Sequence, residues 1–522
     1  MDNVLIKILE KEHQDYLRDE SRKVGEAESI SFPKSENEVI DILKTLHSHK
    51  TLITTQGART GIAAGAVPQG GHILSLSRMD KVLGLRYDEV ADTFILKVQA
   101  GAVLSKVKEA LKSKEFDTET WDEESLKALE SFKASKPYFF SPDPTETTAS
   151  IGGMAACNAS GACSFKYGPT RNHVESIRVV LADGDILSLK RGVHKAKDVH
   201  FSVTTESGRL IEGNVPQYEM PRVKNASGYY TLPDMDLLDL FIGADGTLGI
   251  ITEVELKLIK SPAVAYGVTA FFSCEENALK FVQRIREESA PTAVEFFNSN
   301  ALNLLREERE TNPAFGKLLN LPSHFHTAIY TEYVGEDEDS VLAMVMQAGD
   351  IIEACGGTED DTWVATSPQA KEQLHFFRHA IPEAVNLLID TRRKTYPAIT
   401  KLGTDMAVPD CNLEEIMNLY NEDLEKSNLE SAIWGHIGNN HVHVNIIPRD
   451  MTDYAKGKEL ISSWAEKVIS LGGTVSAEHG IGKMKTNLLQ KMFGEKGISE
   501  MRTLKNLFDS ENRLNKGNLF EE

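Results

Sequence analysis

The stretch SPDPTETTASIGGMAACNASGACSFKYG, residues 141–168, is filled mostly with small residues. Pro142 and Pro144 stiffen its start, because each proline ring fixes one backbone angle. Gly152 and Gly153 precede a short MAAC segment that can open a helix, and a helix N-terminus suits a pyrophosphate. The alternative is a buried seam at which small residues let two segments pack closely. The stretch therefore indicates either an anion-binding loop or a tight packing contact.

Two further glycine loops favour the first of these interpretations. TTQGARTGIAAGAVPQGG, residues 54–71, carries Gly57, Gly61 and Gly65, which let backbone amides approach a phosphate closely. Its spacing matches neither the dinucleotide fingerprint nor the P-loop, so alone it is more typical of a plain turn. GADGTLGIIT, residues 243–252, adds glycines just before a strand. Together the loops predict one shared anionic cofactor.

Composition excludes several classes of protein. The chain has 522 residues, 41% hydrophobic and 26% charged, which predicts a folded protein of more than one domain. A net charge of -21 argues against nucleic-acid binding. We expect no membrane-spanning helix, since no run of about 18 apolar residues occurs, and no signal peptide at the acidic N-terminus. Five dispersed cysteines without a C-x-x-C pair predict reduced thiols in the cytoplasm and no iron–sulfur cluster.

The pattern of hydrophobic residues changes near residue 261. Before it, β-rich segments such as HILSLS and TFILKVQAG are separated by glycine loops. After it, strands such as AYGVTAFFS alternate with helices such as EENALKFVQRIREES, with helices also expected at 412–427 and 453–471. This predicts an α+β fold whose second part is a ferredoxin-like sheet covered by helices. Residues 116–135 are acidic and are interpreted as a helical surface insertion without chemistry.

The order of the loops resembles the flavoproteins of the vanillyl-alcohol oxidase / p-cresol methylhydroxylase type. Within them it is most similar to the branch of FAD-linked D-lactate and D-2-hydroxyacid dehydrogenases and the glycolate oxidase flavoprotein subunit. The resemblance covers residues 15–517 and includes KNASGY at 224–229, while the family's Ser-Glu-Gly-Thr run stands here as Ala-Asp-Gly-Thr at 244–247. It implies a two-subdomain FAD-binding domain at 1–260, a substrate cap at 261–473 and a segment at 474–522 that returns to the FAD domain and active site.

The resemblance also assigns the cofactor contacts, position by position. The pyrophosphate would be held by Gln56, Gly57, Ala58, Arg59, Thr60, Gly61, Pro142, Thr145, Gly152 and Gly153. The flavin would lie against Asn158, Ser160, Gly161, Tyr167 and Gly168, and the adenine side against Ile250 and Ile251. Some relatives attach FAD to a histidine in the first loop. Residues 54–71 contain none, so noncovalent FAD is expected.

A histidine-rich segment, WGHIGNNHVHVNI at 434–446, suggests a second chemical feature. His441 and His443 share one face of a strand, whereas a regular strand would oppose His436 to His443. The intervening Gly-Asn-Asn can break that regularity, because both residue types accept left-handed backbone. The alternative is an antiparallel strand with partly exposed histidines. In SAEHGIGK, residues 476–483, a carboxylate stands beside an imidazole, which offers both a ligand and a base.

The family has similar motifs at both positions. The first usually reads Gly-His-x-Gly-Asp-Gly-Asn-x-His, and here Asn439, Asn440 and His441 replace the Asp, Gly and Asn. The second, Glu-His-Gly-x-Gly, is intact at 478–482. The resemblance implies that a divalent metal such as Zn²⁺, Mn²⁺ or Fe²⁺ binds His436, His443 and Glu478, and that His479 is the catalytic base. His441 would either add a ligand or hydrogen-bond the substrate.

One arginine matches the family's substrate-carboxylate ligand. Arg378, in HFFRHAIPEAVN, offers a planar fork to a planar carboxylate, although a surface-helix arginine is the plain alternative. Asp405, in GTDMAVP, matches a second position that would orient a ligand. The predicted catalytic residues are therefore Arg378, Glu478 and His479.

The predicted reaction is oxidation of a small D-2-hydroxy acid, with D-lactate the first candidate, to the 2-oxo acid. The metal would polarise the hydroxyl, His479 would take its proton, and the C2 hydride would pass to flavin N5. Quinone, cytochrome, electron-transfer flavoprotein and oxygen stay open as acceptors. Peripheral contact with the inner face of the membrane and a homodimer are compatible with the sequence. The alternatives are a metallohydrolase that uses the His/Glu cluster and a flavoprotein electron-transfer subunit of a larger complex.

Overall fold

The computed structural model describes residues 5–521, so residues 1–4 and 522, which the predicted domain bounds include, lie outside the described residues. The strands before residue 262 are β1 Ile6–Ile8, β2 Ser29–Ser31, β3 Ile53–Gln56, β4 His72–Ser75, β5 Val82–Asp88, β6 Thr93–Gln99, β7 Tyr138–Phe139, β8 Val174–Val180, β9 Ile186–Lys190, β10 His200–Thr204, β11 Leu210–Asn214, β12 Ile250–Lys257 and β13 Ile259–Lys260. The α-helices of this part are α1 Glu36–His47, α2 Leu104–Ser113, α3 Glu123–Ala134, α4 Ile151–Cys157 and α5 Ser164–Tyr167.

These strands form two principal sheets. The first has the order β1-β2-β4-β3, with β4 parallel to both of its neighbours. The second is antiparallel with the order β5-β6-β12-β8-β9, and α4 packs on its strands β6 and β12. Two-stranded pairs join β10 to β11 and β7 to β13. The small-residue stretch therefore supplies a short helix that lies directly on the larger sheet.

The later part of the chain contributes one large sheet and long helices. Its strands are β14 Val264–Phe272, β15 Ala293–Phe297, β16 Thr327–Gly335, β17 Thr362–Ala365, β18 Leu402–Gly403, β19 Met406–Ala407, β20 Ser431–His436 and β21 His441–Ile446. Its helices are α6 Glu275–Glu288, α7 Ser299–Thr311, α8 Glu338–Ala354, α9 Pro368–Arg393, α10 Leu413–Ser427, α11 Met451–Ser470 and α12 Thr486–Phe508. The sheet order is β17-β14-β16-β15-β20-β21-β18, with β19 also paired to β21, and every pairing is antiparallel.

Successive side chains of a strand point to opposite faces of the sheet, and here both faces carry apolar side chains. Helices therefore cover the sheet on both faces. On β14, Phe272 packs into the same hydrophobic core as α6 and α8, whereas its neighbour Phe271 packs into the core shared with α7 and α9. The predicted α+β fold with a helix-covered sheet is confirmed. The predicted helices at 412–427 and 453–471 correspond to α10 and α11. The predicted boundaries at 260 and 473 stay predictions.

The acidic segment at residues 116–135, interpreted as a helical surface insertion, is mostly exposed but is also anchored to the fold. The segment does form helix α3, but Phe132 is fully buried and Trp121 is nearly so. The indole N–H of Trp121 donates to the carbonyl of Val82, which anchors the segment to β5. The apolar residues among its acidic ones therefore give the segment a packed inner face.

All five cysteines are free thiols in the structure. Among residues 5–521, no helix combines the length and the apolar character that a bilayer crossing requires.

Candidate active site

Three histidines meet on one face of the β20–β21 hairpin. The strands pair in a register that sets His436 directly opposite His441 and Trp434 opposite His443. Since residues opposite each other and residues two apart share a face, all three imidazoles point the same way. The turn at 437–440 permits this register, because Asn440 adopts the left-handed conformation with φ 51°. The hairpin thus solves the spacing problem that a single regular strand would pose.

Glu478 occupies the centre of the histidine group. Its Oε1 lies 3.4 Å from Nε2 of His436, 3.4 Å from Nε2 of His443 and 3.5 Å from Nε2 of His479. Its Oε2 accepts a hydrogen bond of 2.7 Å from Nζ of Lys224, whose side chain is almost fully buried. The predicted metal ligands therefore converge, although they come from the hairpin and from a loop that follows α11.

The outer nitrogens of two imidazoles are held by fixed partners. Nδ1 of His436 lies 2.7 Å from Oε1 of Glu295, and Nδ1 of His443 lies 3.2 Å from the carbonyl oxygen of Thr404. These partners make Nδ1 of each ring the donor to the outer oxygen and direct Nε2 at Glu478, where a bound cation would replace any proton on Nε2. Protein metal sites orient their histidines in this way, so the donor set fits a divalent cation.

The electrostatics of the group also favour a cation. Although burial alone would lower the pKa of His436, the facing carboxylates of Glu295 and Glu478 raise it to about 9. The carboxylates of this cluster thus attract positive charge into a buried space. Burial lowers the pKa of His441 to about 3 and that of His479 to about 4, so both rings are neutral at neutral pH.

Asp405 organises the loop that carries Glu478 and His479. Its carboxylate accepts hydrogen bonds from the backbone amides of both residues, at 3.2 and 3.1 Å. It also accepts from Ser476 Oγ and from Nζ of Lys485, each at 2.6 Å. Asp405 is only 2% exposed. The carboxylate therefore sets the position of the two side chains that the sequence assigns to ligation and proton transfer.

Arg378 lies beside this group on the inward face of α9, and its side chain is 14% exposed. Its Nη2 is 4.0 Å from Oε2 of Glu295, and its guanidinium stacks over the ring of Tyr330 at 4.7 Å. Its Nε has no hydrogen-bond partner in the described part of the chain. Although burial disfavours the charge, Glu295 and other neighbours raise the pKa of Arg378, so the fork stays charged and retains a free donor.

The first glycine loop carries donors that suit an anion. Arg59 has φ 62°, and the guanidinium stacks over the ring of Tyr16 at 4.1 Å. Within residues 5–521, the successive amides of residues 59–62 donate to no acceptor, whereas Ala58 N donates to Ser150 Oγ. Gly61 has no atom within 4 Å of the place where a Cβ would lie. Consecutive free amides with open space beside them fit a pyrophosphate.

The second loop mainly supplies close packing. A Cβ on Gly152 would lie 2.5 Å from that of Ala100, and the Gly152 amide already donates to the Ala100 carbonyl. The Gly153 amide donates to Ser150 Oγ, 3.3 Å away. A Cβ on Gly161 would lie 2.1 Å from the carbonyl oxygen of Asp143. Close packing therefore explains why glycine is needed at positions 152 and 161, independently of the cofactor contact assigned to them.

The predicted flavin-lining residues adjoin the histidine group. Ser160 Oγ donates to Oε2 of Glu478 at 3.3 Å, which brings the second loop against the predicted metal ligands. Asn158 caps α4 in the left-handed conformation, and Tyr167 packs edge-on against Phe139. The other assigned residues occupy several elements: Gln56 is buried at the end of β3, Thr145 is exposed, Gly57, Pro142 and Gly168 are in loops, and Ile250 and Ile251 begin β12.

The sequence interpretation missed two charged residues of the group. Glu295 lies in AVEFF, a strand in which every residue is buried, and Lys224 lies in a motif that was recognised without assigning a role to its lysine. A lone carboxylate within an apolar strand is itself a signal, because a buried charge requires a partner.

Comparisons with known proteins identify the families that the chain matches. A family model described as "FAD binding domain" matches residues 27–119 and 124–190, and one described as "FAD linked oxidases, C-terminal domain" matches residues 261–519. A solved alkyldihydroxyacetonephosphate synthase superposes with a TM-score of 0.62 over 99% of this chain and 82% of its own, at 15% identity. That likeness concerns the fold alone.

Curated relatives extend along nearly the whole chain. A D-lactate dehydrogenase of Anaerostipes hadrus is 28% identical, covering 97% of this chain and 93% of its own. A D-2-hydroxyglutarate dehydrogenase of Stutzerimonas stutzeri is 26% identical, covering 94% and 90%. Glycolate oxidase subunit GlcD of Bacillus subtilis is 26% identical, covering 94% and 89%. The chain belongs to the FAD-linked oxidases, and the curated relatives that it resembles include D-lactate and D-2-hydroxyglutarate dehydrogenases.

Proposed function

We propose that the protein oxidises a small D-2-hydroxy acid to the 2-oxo acid, with noncovalent FAD and a divalent cation held by His436, His443 and Glu478. D-Lactate is the first candidate substrate, since several relatives carry that name. One observation supports this most strongly. Glu478 is contacted both by the two histidines and by Ser160 of the loop assigned to the flavin. Cation chemistry and flavin chemistry would therefore act on the same bound molecule.

Each side chain of the group has a distinct part in the proposal. Arg378 binds the substrate carboxylate through its fork, and Glu295 holds both that guanidinium and the His436 ring in place. His479, neutral and positioned by Asp405, accepts the hydroxyl proton at a ring nitrogen. Bound FAD supplies the hydride acceptor, and a bound divalent cation supplies polarisation of the substrate oxygens. Lys224 offsets the charge of Glu478.

The choice among 2-hydroxy acids depends on the space beside Arg378. The names of the relatives include a one-carboxylate and a two-carboxylate substrate. We propose the smaller acid, because the described residues near Arg378 include the carboxylates Glu295 and Glu332, which would repel a second substrate carboxylate. A quinone, a cytochrome or an electron-transfer flavoprotein would reoxidise the flavin, and a comparison of turnover with each class would identify the acceptor.

The decisive experiment is an anaerobic titration of the purified holoprotein. The visible flavin spectrum is recorded, and D-lactate, L-lactate, glycolate and D-2-hydroxyglutarate are added separately. We expect D-lactate to bleach the flavin band, and L-lactate to leave it unchanged. A flavin that none of these acids reduces would contradict the proposed substrate class, and a protein that binds no FAD would favour a metallohydrolase.

The role of the cation needs a separate measurement on the same sample. Treatment with a strong chelator should abolish bleaching by D-lactate while the oxidised flavin spectrum persists. Addition of Zn²⁺, Mn²⁺ or Fe²⁺ should restore it. Bleaching that survives complete chelation would remove the cation from the proposal and leave the flavin chemistry intact.

A further inference from the structure

His441 stands where the related motif has an asparagine, and it is fully buried. Its ring centroid lies 4.5 Å from that of His443 and 5.4 Å from that of His436. A third imidazole in such a position requires an explanation, because burial of a polar ring without partners is costly. Neither ring nitrogen completes a well-aligned hydrogen bond within residues 5–521.

The surroundings of His441 resemble those of the two predicted ligands, although its inner nitrogen faces Oε2 of Glu478, which Lys224 also contacts, and theirs face Oε1. Each of those rings has one nitrogen on an outer oxygen and the other directed at Glu478. In His441, Nε2 lies 3.0 Å from Oδ1 of Asp405, and Nδ1 lies 3.9 Å from Oε2 of Glu478. The outer oxygen orients the ring, and the inner nitrogen faces the same carboxylate as the other two.

We propose that Nδ1 of His441 is a further protein ligand of the divalent cation assigned to His436, His443 and Glu478, which rests on the proposed function. One ligand atom from each of these four residues can be chosen so that all lie within 4.8 Å of one another. The centre is then a three-imidazole, one-carboxylate site in place of a two-imidazole site. Imidazole-rich sites favour Zn²⁺, Fe²⁺, Co²⁺ and Ni²⁺ over Mg²⁺ and Ca²⁺. We therefore expect this site to bind any ion of the first group more tightly than either ion of the second.

The alternative role of His441, a hydrogen bond to the substrate, makes a different geometric demand. It requires a ring nitrogen with access to the substrate space. His441 has no exposed surface, and both its nitrogens face carboxylates of the protein. A ligand role uses the nitrogen in the direction in which it already points.

Counting the imidazole ligands tests the proposal directly. The holoprotein is loaded with Co²⁺, and X-ray absorption at the cobalt edge measures the number of imidazoles from their multiple scattering. We expect three in the parent protein, two in His441→Asn, and three in His324→Asn, a control whose exposed ring pairs with Asp361 in the cap. The Co²⁺ dissociation constant should rise at least tenfold in His441→Asn alone.

Several results would overturn the proposal. Two imidazoles in the parent protein, or a count that does not change in His441→Asn, would show that His441 is not a ligand. A parent protein that binds no Co²⁺ would do the same. The flavin spectrum and the thermal midpoint report whether His441→Asn folds. If this variant does not fold, the imidazole count in the parent protein alone decides whether His441 is a ligand. Bleaching by D-lactate tests the proposed function separately, because the cobalt count does not depend on turnover.

Discussion

Glu295 bridges the two halves of the site: its Oε1 lies 2.7 Å from Nδ1 of His436, and its Oε2 lies 4.0 Å from Nη2 of Arg378. One carboxylate on β15 therefore contacts both the residue assigned to the cation and the residue assigned to the substrate carboxylate. Burial alone would raise the pKa of the Glu295 carboxyl, but the neighbouring His436 and Arg378 stabilise its charged form and lower the pKa. Glu295 is a positioning residue for both.

Replacement of Glu295 should weaken the cation site without unfolding the protein. In Glu295→Gln the side chain keeps its shape but loses the charge that orients the His436 ring. We expect Zn²⁺ affinity to fall about 10- to 100-fold, the usual effect of losing such a partner. Competition with a metal-sensitive dye measures the dissociation constant. Glu276→Gln, at an exposed position on α6, is the matched control, and equal affinities in the two variants would refute the positioning role.

Replacement of Arg378 should affect substrate binding most. Loss of a charge-assisted hydrogen bond costs about 1.5–3 kcal/mol, or roughly 10- to 100-fold in affinity. We expect KM for D-lactate to rise by that factor in Arg378→Ala, with incomplete rescue in Arg378→Lys because the ammonium lacks the planar fork. Steady-state kinetics with a dye acceptor provide the measurement. Arg284→Ala, on the surface of α6, serves as the control, and an unchanged KM in Arg378→Ala would contradict the assignment.

His479 should contribute to turnover more than to cation binding. Loss of a general base typically lowers the rate of proton transfer by about 10²- to 10⁴-fold. In His479→Asn we expect kcat to fall by such a factor, whereas FAD content and cation stoichiometry should stay as in the parent protein. Rapid-mixing measurement of flavin reduction isolates this step from reoxidation. If flavin reduction keeps its parental rate, another group must take the proton.

Gly435 should be required for the approach of His443. Its φ is 128°, and a Cβ at this position would lie 2.8 Å from Cδ2 of the His443 ring. Gly435→Ala should therefore displace that ring and weaken cation binding by at least tenfold, measured by calorimetry. Gly349→Ala, on α8 with no atom within 4 Å of the new Cβ, should be neutral or slightly stabilising. Equal cation affinity in both variants would show that the ring tolerates the added methyl group.

His72 should make the protein sensitive to acid at a distance from the site. It is fully buried in β4 between Ser29 and Ser31, and burial lowers its pKa to about 4 from an ordinary value near 6.5. The unfolded chain therefore binds this proton more readily, so stability is lost as pH falls from 6.5 towards 4. At pH 5 the loss amounts to about 2 kcal/mol.

The His72→Gln variant isolates that contribution. Urea denaturation at pH 7 and pH 5 gives its free energy of unfolding beside that of the parent protein. We expect the variant to be less stable at pH 7 and the gap to narrow by about 2 kcal/mol at pH 5. A gap that is constant with pH would mean that His72 keeps its ordinary pKa in the folded state.

The sequence predicted the site best where the residues lie close together along the chain. The spacing of His436 and His443 already required a turn between them, and the adjacent Gly and Asn indicated where it would form. The exact register, which adds His441 to the same face, depends on pairing across the hairpin and could not be read from spacing alone. The resemblance named Arg378, but only the fold shows that its helix packs inward.

Partners that are distant in sequence were not predictable from local patterns. Glu295 reaches His436 because β15 and β20 are neighbours in the sheet, a long-range pairing that propensities do not encode. Lys224 reaches Glu478 across 254 positions of the chain. The packing of α3 was missed for a related reason, since its acidic composition hid the inward-facing Trp121 and Phe132. The isolated carboxylate of Glu295 in an apolar strand was the one local signal that could have been used.

The pairing of β3 with a distant segment has a consequence for biosynthesis. The amide of Ile53 donates to the carbonyl of Arg513, the amide of Asn515 donates back to Ile53, and Asn515 Oδ1 accepts from Thr55, each at 2.8 Å. The strand that leads into the first glycine loop therefore lacks part of its support until residue 515 has left the ribosome. We therefore expect the first glycine loop to reach its final form only after synthesis of this distant segment, and cofactor capture to follow that step.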